Sequence, residues 1–355
     1  MVGIGRVLET DAKVKHAIKR VDRLFGNRNL QARIENYYQD IIRWIVKNNN
    51  QPIILIDWSG LTNCGKFHFL RASVPVGGRA LPILDMAFPQ KQYGSQKAHK
   101  QFIKQLKKIL PKTCCPIVVT DAGFRCPWFK LIRSFGWHFV GRVRHLTQYS
   151  LAEKGEWSPI KTLYEKASLK PKYLFSAFLA KNNSVRCEFY IVRQRKKHRV
   201  KKNLAGKKVQ CSVSKKHAKS GREPWLIVSS LPTSLFSAQQ IMSIYKKRMQ
   251  IEESIRDLKN TKNGLGIRHS RSYKLGRLNV SLLLGAIAIL VLWILGGVAK
   301  QKEEHWSFQT NSVRSKNILS NFTIGWQMIA RHGPKCSNTL FFKSIEEIAV
   351  CAASY

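Results

Sequence analysis

Acidic residues are scarce in this 355-residue chain. It has 20 Asp and Glu against 62 Lys and Arg, which gives a formal net charge of +42. An excess of this size is larger than solubility requires, and it predicts a polyanionic partner. Nucleic acid is the partner that such a charge typically serves. An anionic membrane surface would be attracted by the same charge, so it is the competing interpretation.

The sequence also lacks paired cysteine motifs and a secretion signal. Its eight cysteines are scattered, with no CxxC pair and no Cys/His ligand spacing. This pattern argues against a disulfide framework and a zinc site, and it favours a reducing compartment. The N-terminal stretch MVGIGRVLETDAKVKHAIKR contains no apolar core, so it does not indicate secretion.

Long hydrophobic runs are limited to one segment, Val280 to Ala299 (VSLLLGAIAILVLWILGGVA). Its length meets the rule for a membrane span. The alternative is a helix buried on all sides in a large protein, with Gly285, Gly296 and Gly297 permitting close packing. Because the rest of the chain is charged, we expect the buried helix and no membrane span.

Two aliphatic runs each end in an acid. PIILID (Pro52 to Asp57) and PIVVTD (Pro116 to Asp121) predict buried strands that deliver Asp57 and Asp121 to their C-terminal ends. The other predicted elements of this region are strands at Phe67 to Val76 and Arg79 to Phe88, joined at Gly77-Gly78, a helix at Lys97 to Leu110, a helix at Pro127 to Ser134 and a strand at Trp137 to Val143. This order of elements is that of a ribonuclease H-like α/β domain.

Composition divides the chain into four predicted regions. Residues 1–50 are expected to form basic helices that bind DNA, and residues 51–144 with 237–275 the ribonuclease H-like core. Residues 145–236 are expected to form a β-rich insertion. It contains the tract Arg193 to Arg222, with thirteen Lys and Arg and no acid, which we interpret as a loop that contacts phosphates without reading bases. Residues 276–355 are expected to be helical.

The stretch Ser237 to Asn260 contains no Pro or Gly and has apolar residues at helical spacing, so it predicts one helix. Tyr245, Arg248, Glu252 and Lys259 are spaced by 3, 4 and 7 residues. At about 100° per residue they fall within roughly 60° of one another on the helix surface. Such a stripe could hold a metal ion and bind a phosphodiester beside it. The alternative is a solvated charged face with pairs such as Arg248–Glu252.

Cleavage of a phosphodiester by two metal ions requires acidic oxygens that converge from different elements. Asp57, Asp121 and Glu252 meet this requirement, and carboxylates are the ligands that Mg²⁺ prefers. Glu253 is the rival third acid, but it points about 80–140° away from the stripe. Either strand acid could instead form a turn or cap a helix. Asp85 lies in a comparable position but belongs to no motif.

These residues resemble a known family. The spacing Y-x2-R-x3-E-x6-K, formed by Tyr245, Arg248, Glu252 and Lys259, resembles the YREK signature of DDE transposases of the insertion sequence four family. The resemblance covers nearly the whole chain and is greatest to the insertion sequence ten members. The blocks that carry it are DWSGL, TDAGFRCPWF, GRVR, EPWLIVSSLP, IYKKRMQIEESIRDLK and GLGIRHSRS.

The resemblance implies roles for particular residues. Asp57, Asp121 and Glu252 would be the catalytic acids and would hold two Mg²⁺ ions, for which Mn²⁺ could substitute. The implied DNA-binding residues are Tyr245, Arg248, Lys259, Trp225, Arg268, His269 and Arg271. Trp225 would stack on a flipped base, although a core tryptophan on a strand is an equal alternative. For the three residues after the helix, a generic basic loop is an equal alternative.

The resemblance also implies an activity and partners. Members of this family cut and paste an insertion sequence by nicking one strand, forming and opening a hairpin, and joining the 3′ ends to target DNA. The partners would be the terminal inverted repeats, the target DNA and a second copy of the chain in a synaptic complex, in the bacterial cytoplasm at the nucleoid.

Relatives of this kind begin with a longer helical N-terminal region that reads the transposon ends. We therefore expect specific end recognition to be affected here while the chemistry is retained. The alternative is a truncated, transposition-incompetent relative that binds DNA. A ribonuclease H-like nuclease of host origin is a further alternative, and it would cut without joining 3′ ends.

Overall fold

The computed structural model describes residues 2–144, 146–195, 211–212, 223–261, 264–270, 272–310, 312–313, 315–333 and 336–353. Arg271 and most of the basic tract predicted at Arg193 to Arg222 lie outside these residues. The described chain divides into two compact units. The first unit consists of residues 2–117 and 247–353, and the second of residues 118–246. The predicted four-region division remains a prediction.

The first unit joins N-terminal and C-terminal helices to three strands. Its elements are α1 (Val2–Arg6), α2 (Val14–Gly26), α3 (Arg28–Ala32), α4 (Ile34–Val46), β1 (Ile53–Gly60), β2 (Phe67–Pro75), β3 (Ala80–Pro89) and α5 (Gln96–Ile109), and 3₁₀ turns at Gln90–Gln92, Ile267–His269 and Glu304–Phe308. From the second half of the chain come α8 (Met249–Lys259), α9 (Leu275–Gln301), α10 (Asn321–His332) and α11 (Asn338–Ala353). Strand β2 pairs antiparallel with both β1 and β3.

The predicted hairpin between β2 and β3 is confirmed. Gly77 and Gly78 have φ values of 61° and 92°, and Val76 donates its N–H to the carbonyl of Arg79 at 2.7 Å. Two consecutive residues with positive φ are what a two-residue type I′ turn requires, and glycine adopts them without strain.

The second unit is mostly β. Its elements are β4 (Ile117–Thr120), α6 (Cys126–Ser134), β5 (His138–Val143), β6 (Gln148–Ser150), β7 (Ser158–Pro159), a 3₁₀ helix (Ile160–Lys166), β8 (Lys172–Leu179), β9 (Val185–Val192), β10 (Trp225–Ser229) and α7 (Ala238–Lys246). Strand β10 pairs antiparallel with β5 and with β9, and β9 with β8. Strands β8 to β10 lie within residues 145–236, and the assignment of that region as a β-rich insertion stays a prediction. The mixed α/β architecture fits the ribonuclease H-like expectation.

The apolar segment predicted as a buried helix lies within α9. This helix passes a length and composition test for a membrane span, with a mean hydropathy of 2.7, but 72% of its most apolar window is buried against the protein. Helix α10 packs against it at close range, because a Cβ at Gly296 would lie 1.9 Å from the carbonyl oxygen of Asn321 and one at Gly325 would lie 1.9 Å from that of Leu292. The prediction of a buried core helix is confirmed.

Candidate active site

Asp57 lies inside β1 and not at its end. The strand was predicted to stop at Asp57, but it continues to Gly60, so that part of the prediction is wrong. The reason is pairing with β2, which extends through the register positions Asp57–Arg71 and Gly60–His68. The aliphatic half of β1 is buried and the half that begins at Asp57 is partly exposed. The strand therefore brings a carboxylate from the core to an accessible surface.

Lys259, the last residue of α8, lies beside this carboxylate. Its Nζ donates a short hydrogen bond to the hydroxyl of Ser59 and lies 5.7 Å from the ring centroid of Phe69. The pKa of Lys259 is lowered to about 8, first by burial and then by the charges of Arg268 and Arg71, while the Asp57 carboxylate opposes the shift. A partly buried ammonium next to a carboxylate is a site that can exchange its partner for a phosphate oxygen.

The helix predicted from Ser237 to Asn260 is interrupted. Helix α7 ends at Lys246 and α8 begins at Met249, with a turn between them in which Gln250 and Ile251 donate to carbonyls three residues back. Each half buries its apolar residues in its own unit, with Ile241, Met242, Ile244 and Tyr245 in α7 and Ile251, Ile255 and Leu258 in α8. The prediction of a single helical stripe is therefore wrong.

Within α8, Glu252 is bound to Arg248. The Nη2 atom of Arg248 lies 2.6 Å from the Oε1 atom of Glu252, and the side chain of Glu252 is 40% exposed. The i,i+4 pair considered as an alternative in the sequence is thus present. It leaves the carboxylate accessible.

Glu253, the rival acid, is held by other arginines. Its Oε2 atom lies 2.5 Å from Arg256 and 3.9 Å from Arg79, which itself donates to Asp257 at 2.8 Å. Burial raises the pKa of Asp257, and the adjacent Arg79 opposes that shift. These contacts attach α8 to Arg79, which follows the β2–β3 turn, and Glu253 takes part in that attachment.

A buried ion pair lies behind the same helix. The Nε and Nη2 atoms of Arg71 donate to the two carboxylate oxygens of Asp85 at 2.8 and 2.6 Å, and both side chains are fully buried. The Nη1 atom of Arg71 also donates to the hydroxyl of Ser254 at 3.1 Å. Burial raises the pKa of Asp85, against the opposing effect of Arg71. In the sequence, Asp85 is weighed as an acid outside any motif, and neither Arg71 nor Ser254 is singled out.

Asp121, in the second unit, follows β4 as predicted. Its Oδ1 atom accepts the N–H of Gly123 at 2.9 Å, which forms a local turn. The carboxylate is partly exposed. The turn leaves the Oδ2 atom available to a ligand.

Trp225, in the same unit, is a partly exposed residue at the start of β10. Its ring packs edge-on against Tyr245 at 5.2 Å, and the guanidinium of Arg142 lies 5.9 Å from it. Tyr245 is only 3% exposed, so its ring supports Trp225 and is not presented to solvent. Burial lowers the pKa of Arg142, a residue that the sequence did not single out.

The remaining predicted residues follow α8. Arg268 and His269 lie in the 3₁₀ turn Ile267–His269 and are exposed. Arg271 lies outside the described residues. Arg268 and His269 are thus accessible to a polyanion. Their exposure fits both interpretations, a DNA contact and a generic basic loop.

The carboxylates suit a divalent metal in charge and hardness. Each of two carboxylates already has a cation beside it. Lys259 lies beside Asp57, and Arg248 is bound to Glu252. A metal ion would have to compete with Arg248 for Glu252. Across the described residues, no three His, Cys, Asp or Glu side chains are arranged to hold a metal ion together. The donor chemistry fits, and the assignment of the three acids remains a prediction.

Comparison with protein families identifies a matching family model. A family model described as a transposase DDE domain matches residues 48–291. This segment includes Asp57, Asp121 and Glu252, and it covers residues 118–246 of the second unit completely and the first unit in part. No curated protein matches the chain.

Proposed function

The chain belongs to the transposase DDE-domain family, and we propose that it catalyses cut-and-paste transposition of an insertion sequence. Within that family we place it in the insertion sequence four group with the YREK signature, near the insertion sequence ten members. The observation that carries the proposal is the family match across residues 48–291, which contains every residue of the predicted catalytic set.

We assign the metal-binding role to Asp57, Asp121 and Glu252. Divalent ions, Mg²⁺ or Mn²⁺, would activate the attacking oxygen and stabilise the leaving oxygen at phosphorus. Lys259 neutralises charge beside Asp57 and Arg248 does so beside Glu252. Both cations would bind DNA phosphate oxygens in the proposed complex, in which the carboxylates would hold the metal ions.

The reaction would proceed through in-line displacements at phosphorus. Water first attacks the phosphodiester at the transposon end, leaving a 3′-hydroxyl and a 5′-phosphate. The 3′-hydroxyl then attacks the phosphodiester of the opposite strand, which forms a hairpin on the transposon end and releases the flanking DNA with a 3′-hydroxyl. Water then hydrolyses the hairpin phosphodiester and restores the 3′-hydroxyl of the transposon end. The freed 3′-hydroxyl finally attacks target DNA, and one target phosphodiester is exchanged for the new bond.

We assign the DNA contacts in this proposal to predicted residues whose side chains are at least partly exposed. Arg248, Lys259, Arg268 and His269 would bind the phosphate backbone, and Trp225 would stack on an unpaired base with Tyr245 behind it. Base stacking of this kind contributes about 1–3 kcal/mol per base. The assembly would be a homodimer that pairs two transposon ends, as the resemblance implies.

The test is DNA cleavage by the purified chain. With Mg²⁺ and a terminal inverted repeat from its element, the protein is expected to produce nicks and hairpins and to join 3′ ends to target DNA. Glu252→Gln should abolish these products. Glu253→Gln is the matched control, because it changes the adjacent acid that is bound to Arg256 and Arg79, and it should retain the activity.

Three outcomes would contradict the proposal. A gel shift without any cleavage, in Mg²⁺ or Mn²⁺, would identify a DNA-binding relative. Cleavage that is lost in Glu253→Gln and kept in Glu252→Gln would show that the acid has been assigned wrongly. Cleavage without joining of 3′ ends would identify a nuclease.

A further inference from the structure

Arg71 connects three elements of the first unit. It lies on β2, binds Asp85 on β3 through two hydrogen bonds, and reaches Ser254 on α8 with its remaining nitrogen. Arg71 and Asp85 are completely buried and Ser254 is 1% exposed. The contact between the sheet and α8 is therefore made inside the protein, where a hydrogen bond from a charged donor is strong.

Ser254 lies on the face of α8 opposite the predicted catalytic stripe. At about 100° per residue, it is roughly 160° around the helix from Glu252, whereas Lys259 is within about 20° of Glu252. A contact at Ser254 thus holds the back of a helix whose front carries Glu252 and Lys259. Arg79 adds a second attachment at Asp257, about 140° from Glu252.

A buried ion pair is a poor choice for stability alone. Removing two charges from water is costly, and apolar residues of similar volume often hold two strands as well or better. Unlike an apolar side chain, a guanidinium carries several hydrogen-bond donors with fixed directions in one plane. Two of these donors fix Arg71 on Asp85, so the third has a defined direction towards α8.

We propose that Arg71 and Asp85 are positioning residues of the phosphoryl-transfer reaction, and that they fix the rotation of α8 about its axis through Ser254. The direction of the Glu252 carboxylate then depends on a contact that Glu252 does not itself make. This proposal rests on the function proposed above. Residues that orient a metal-binding carboxylate change metal affinity or activity by about 10- to 100-fold when removed.

The first test compares two buried serines in the full-length protein. Ser254→Ala removes the hydroxyl that accepts from Arg71 at 3.1 Å and leaves the longer contact of Nη1 with the backbone carbonyl oxygen of Ser254 at 3.5 Å. Ser73→Ala is the matched control, since Ser73 is fully buried on β2 and its hydroxyl has no hydrogen-bond partner in the described part of the chain. Ser254→Ala should lower the single-turnover cleavage rate at least about tenfold and weaken Mn²⁺ binding, measured by electron paramagnetic resonance, by a similar factor. Its Kd for DNA should be unchanged.

The second test separates positioning from folding. The double variant Arg71→Met/Asp85→Leu replaces the pair with apolar side chains, so it should unfold near the wild-type temperature. Its cleavage rate and Mn²⁺ affinity should nevertheless stay as low as those of Ser254→Ala. Recovery of both in the double variant would overturn the proposal, as would equal behaviour of Ser254→Ala and Ser73→Ala. If the wild type does not cleave at all, the proposed function fails first and this inference fails with it.

Discussion

Asp57 of the first unit and Asp121 of the second differ in what surrounds their carboxylates. Asp57 lies inside β1, opposite Arg71 in the register with β2 and next to Lys259 from α8, which is about 200 residues away in sequence. Asp121 lies just past β4 and is held by the N–H of Gly123, two residues away. One acid depends on long-range packing and the other on its own turn.

Substitutions at distant residues should therefore affect the surroundings of Asp57 more than those of Asp121. The environment of Asp57 changes when α8 or the β2–β3 hairpin changes, because cations from both elements lie near it. The environment of Asp121 is local and should persist when distant elements are altered. We therefore expect substitutions in the first unit to couple to one another and those at Asp121 to act independently.

The largest expected effect is on the cleavage rate when either proposed catalytic acid is changed. Asp57→Asn and Asp121→Asn should each lower that rate roughly a thousandfold, because each removes a proposed metal ligand that would contribute several kcal/mol in the transition state. Asp121→Asn keeps its turn, since the amide oxygen can still accept from Gly123. The measurement is single-turnover cleavage with DNA affinity recorded in parallel.

Asp40→Asn is the control for that pair, because Asp40 forms an exposed ion pair with Arg43 on α4. It should cleave DNA as the wild type does. Wild-type rates in either Asp57→Asn or Asp121→Asn would show that the acid in question is not a metal ligand, and the comparison between them would lose its functional meaning.

The next largest effect is on the stability of the first unit, where Asp57 depends on residues that are distant in sequence. Asp85→Asn leaves the charge of Arg71 buried without a compensating carboxylate, which should lower the free energy of unfolding by about 3–5 kcal/mol. Asp40→Asn breaks a pair in which both side chains are more than half exposed, and it should change stability by about 0–1 kcal/mol. Urea unfolding measures both. Equal losses would mean that the buried pair has no special role in the first unit.

Local sequence patterns predicted most of the elements in these two regions. Alternating or continuous apolar runs bounded by Gly and Pro gave β2, β3, β4 and α5 within one or two residues of their bounds. Asp121 was placed correctly at the end of its strand because a turn of this kind depends on neighbouring residues only. Asp57 was placed at a strand end wrongly, because the extension of β1 depends on pairing with a distant strand.

The buried ion pair shows why the rest could not be predicted. Counting outward from the two-residue turn at Gly77-Gly78 would place Arg71 opposite Leu84, with Asp85 on the other face of the sheet. A bulge shifts the register between Ala72 and Ser73, and it brings Arg71 opposite Asp85. The bulge adds one residue to β3 next to Pro82, which lacks an N–H for a regular ladder. A one-residue irregularity of this kind has no periodic signal.

The break between α7 and α8 had no local signal either. The stretch has neither Pro nor Gly, and the residues that flank the break are good helix formers. The helices separate because their apolar faces are buried in different compact units. Tertiary packing therefore overrides helix propensity at this position, and the YREK residues are divided between the two units.

The smallest expected effect is a pH dependence of DNA affinity. It arises from Lys259 beside Asp57, and we expect no counterpart at Asp121. Because burial lowers the pKa of Lys259 to about 8, its ammonium is mostly charged at pH 7 and mostly neutral at pH 9. The proposed contact of Lys259 with a DNA phosphate should therefore weaken by up to about tenfold between these values, since one pH unit above the pKa corresponds to about 1.4 kcal/mol. Lys259→Arg stays charged, so the difference in Kd between the two proteins measures this contact.

The same shift fixes the sign of the effect on folding. Between pH 8 and the ordinary value of 10.5, the unfolded chain binds a proton at Lys259 that the folded chain has released, so stability should rise with pH in this window relative to Lys259→Gln. Asp57→Asn should move the onset to lower pH, because Asp57 is the group that opposes the lowering of the Lys259 pKa. Asp121→Asn should leave the onset where it is, since that carboxylate is not among the groups that shift Lys259. An equal displacement in both variants would contradict the division into one acid held by distant contacts and one held by its own turn.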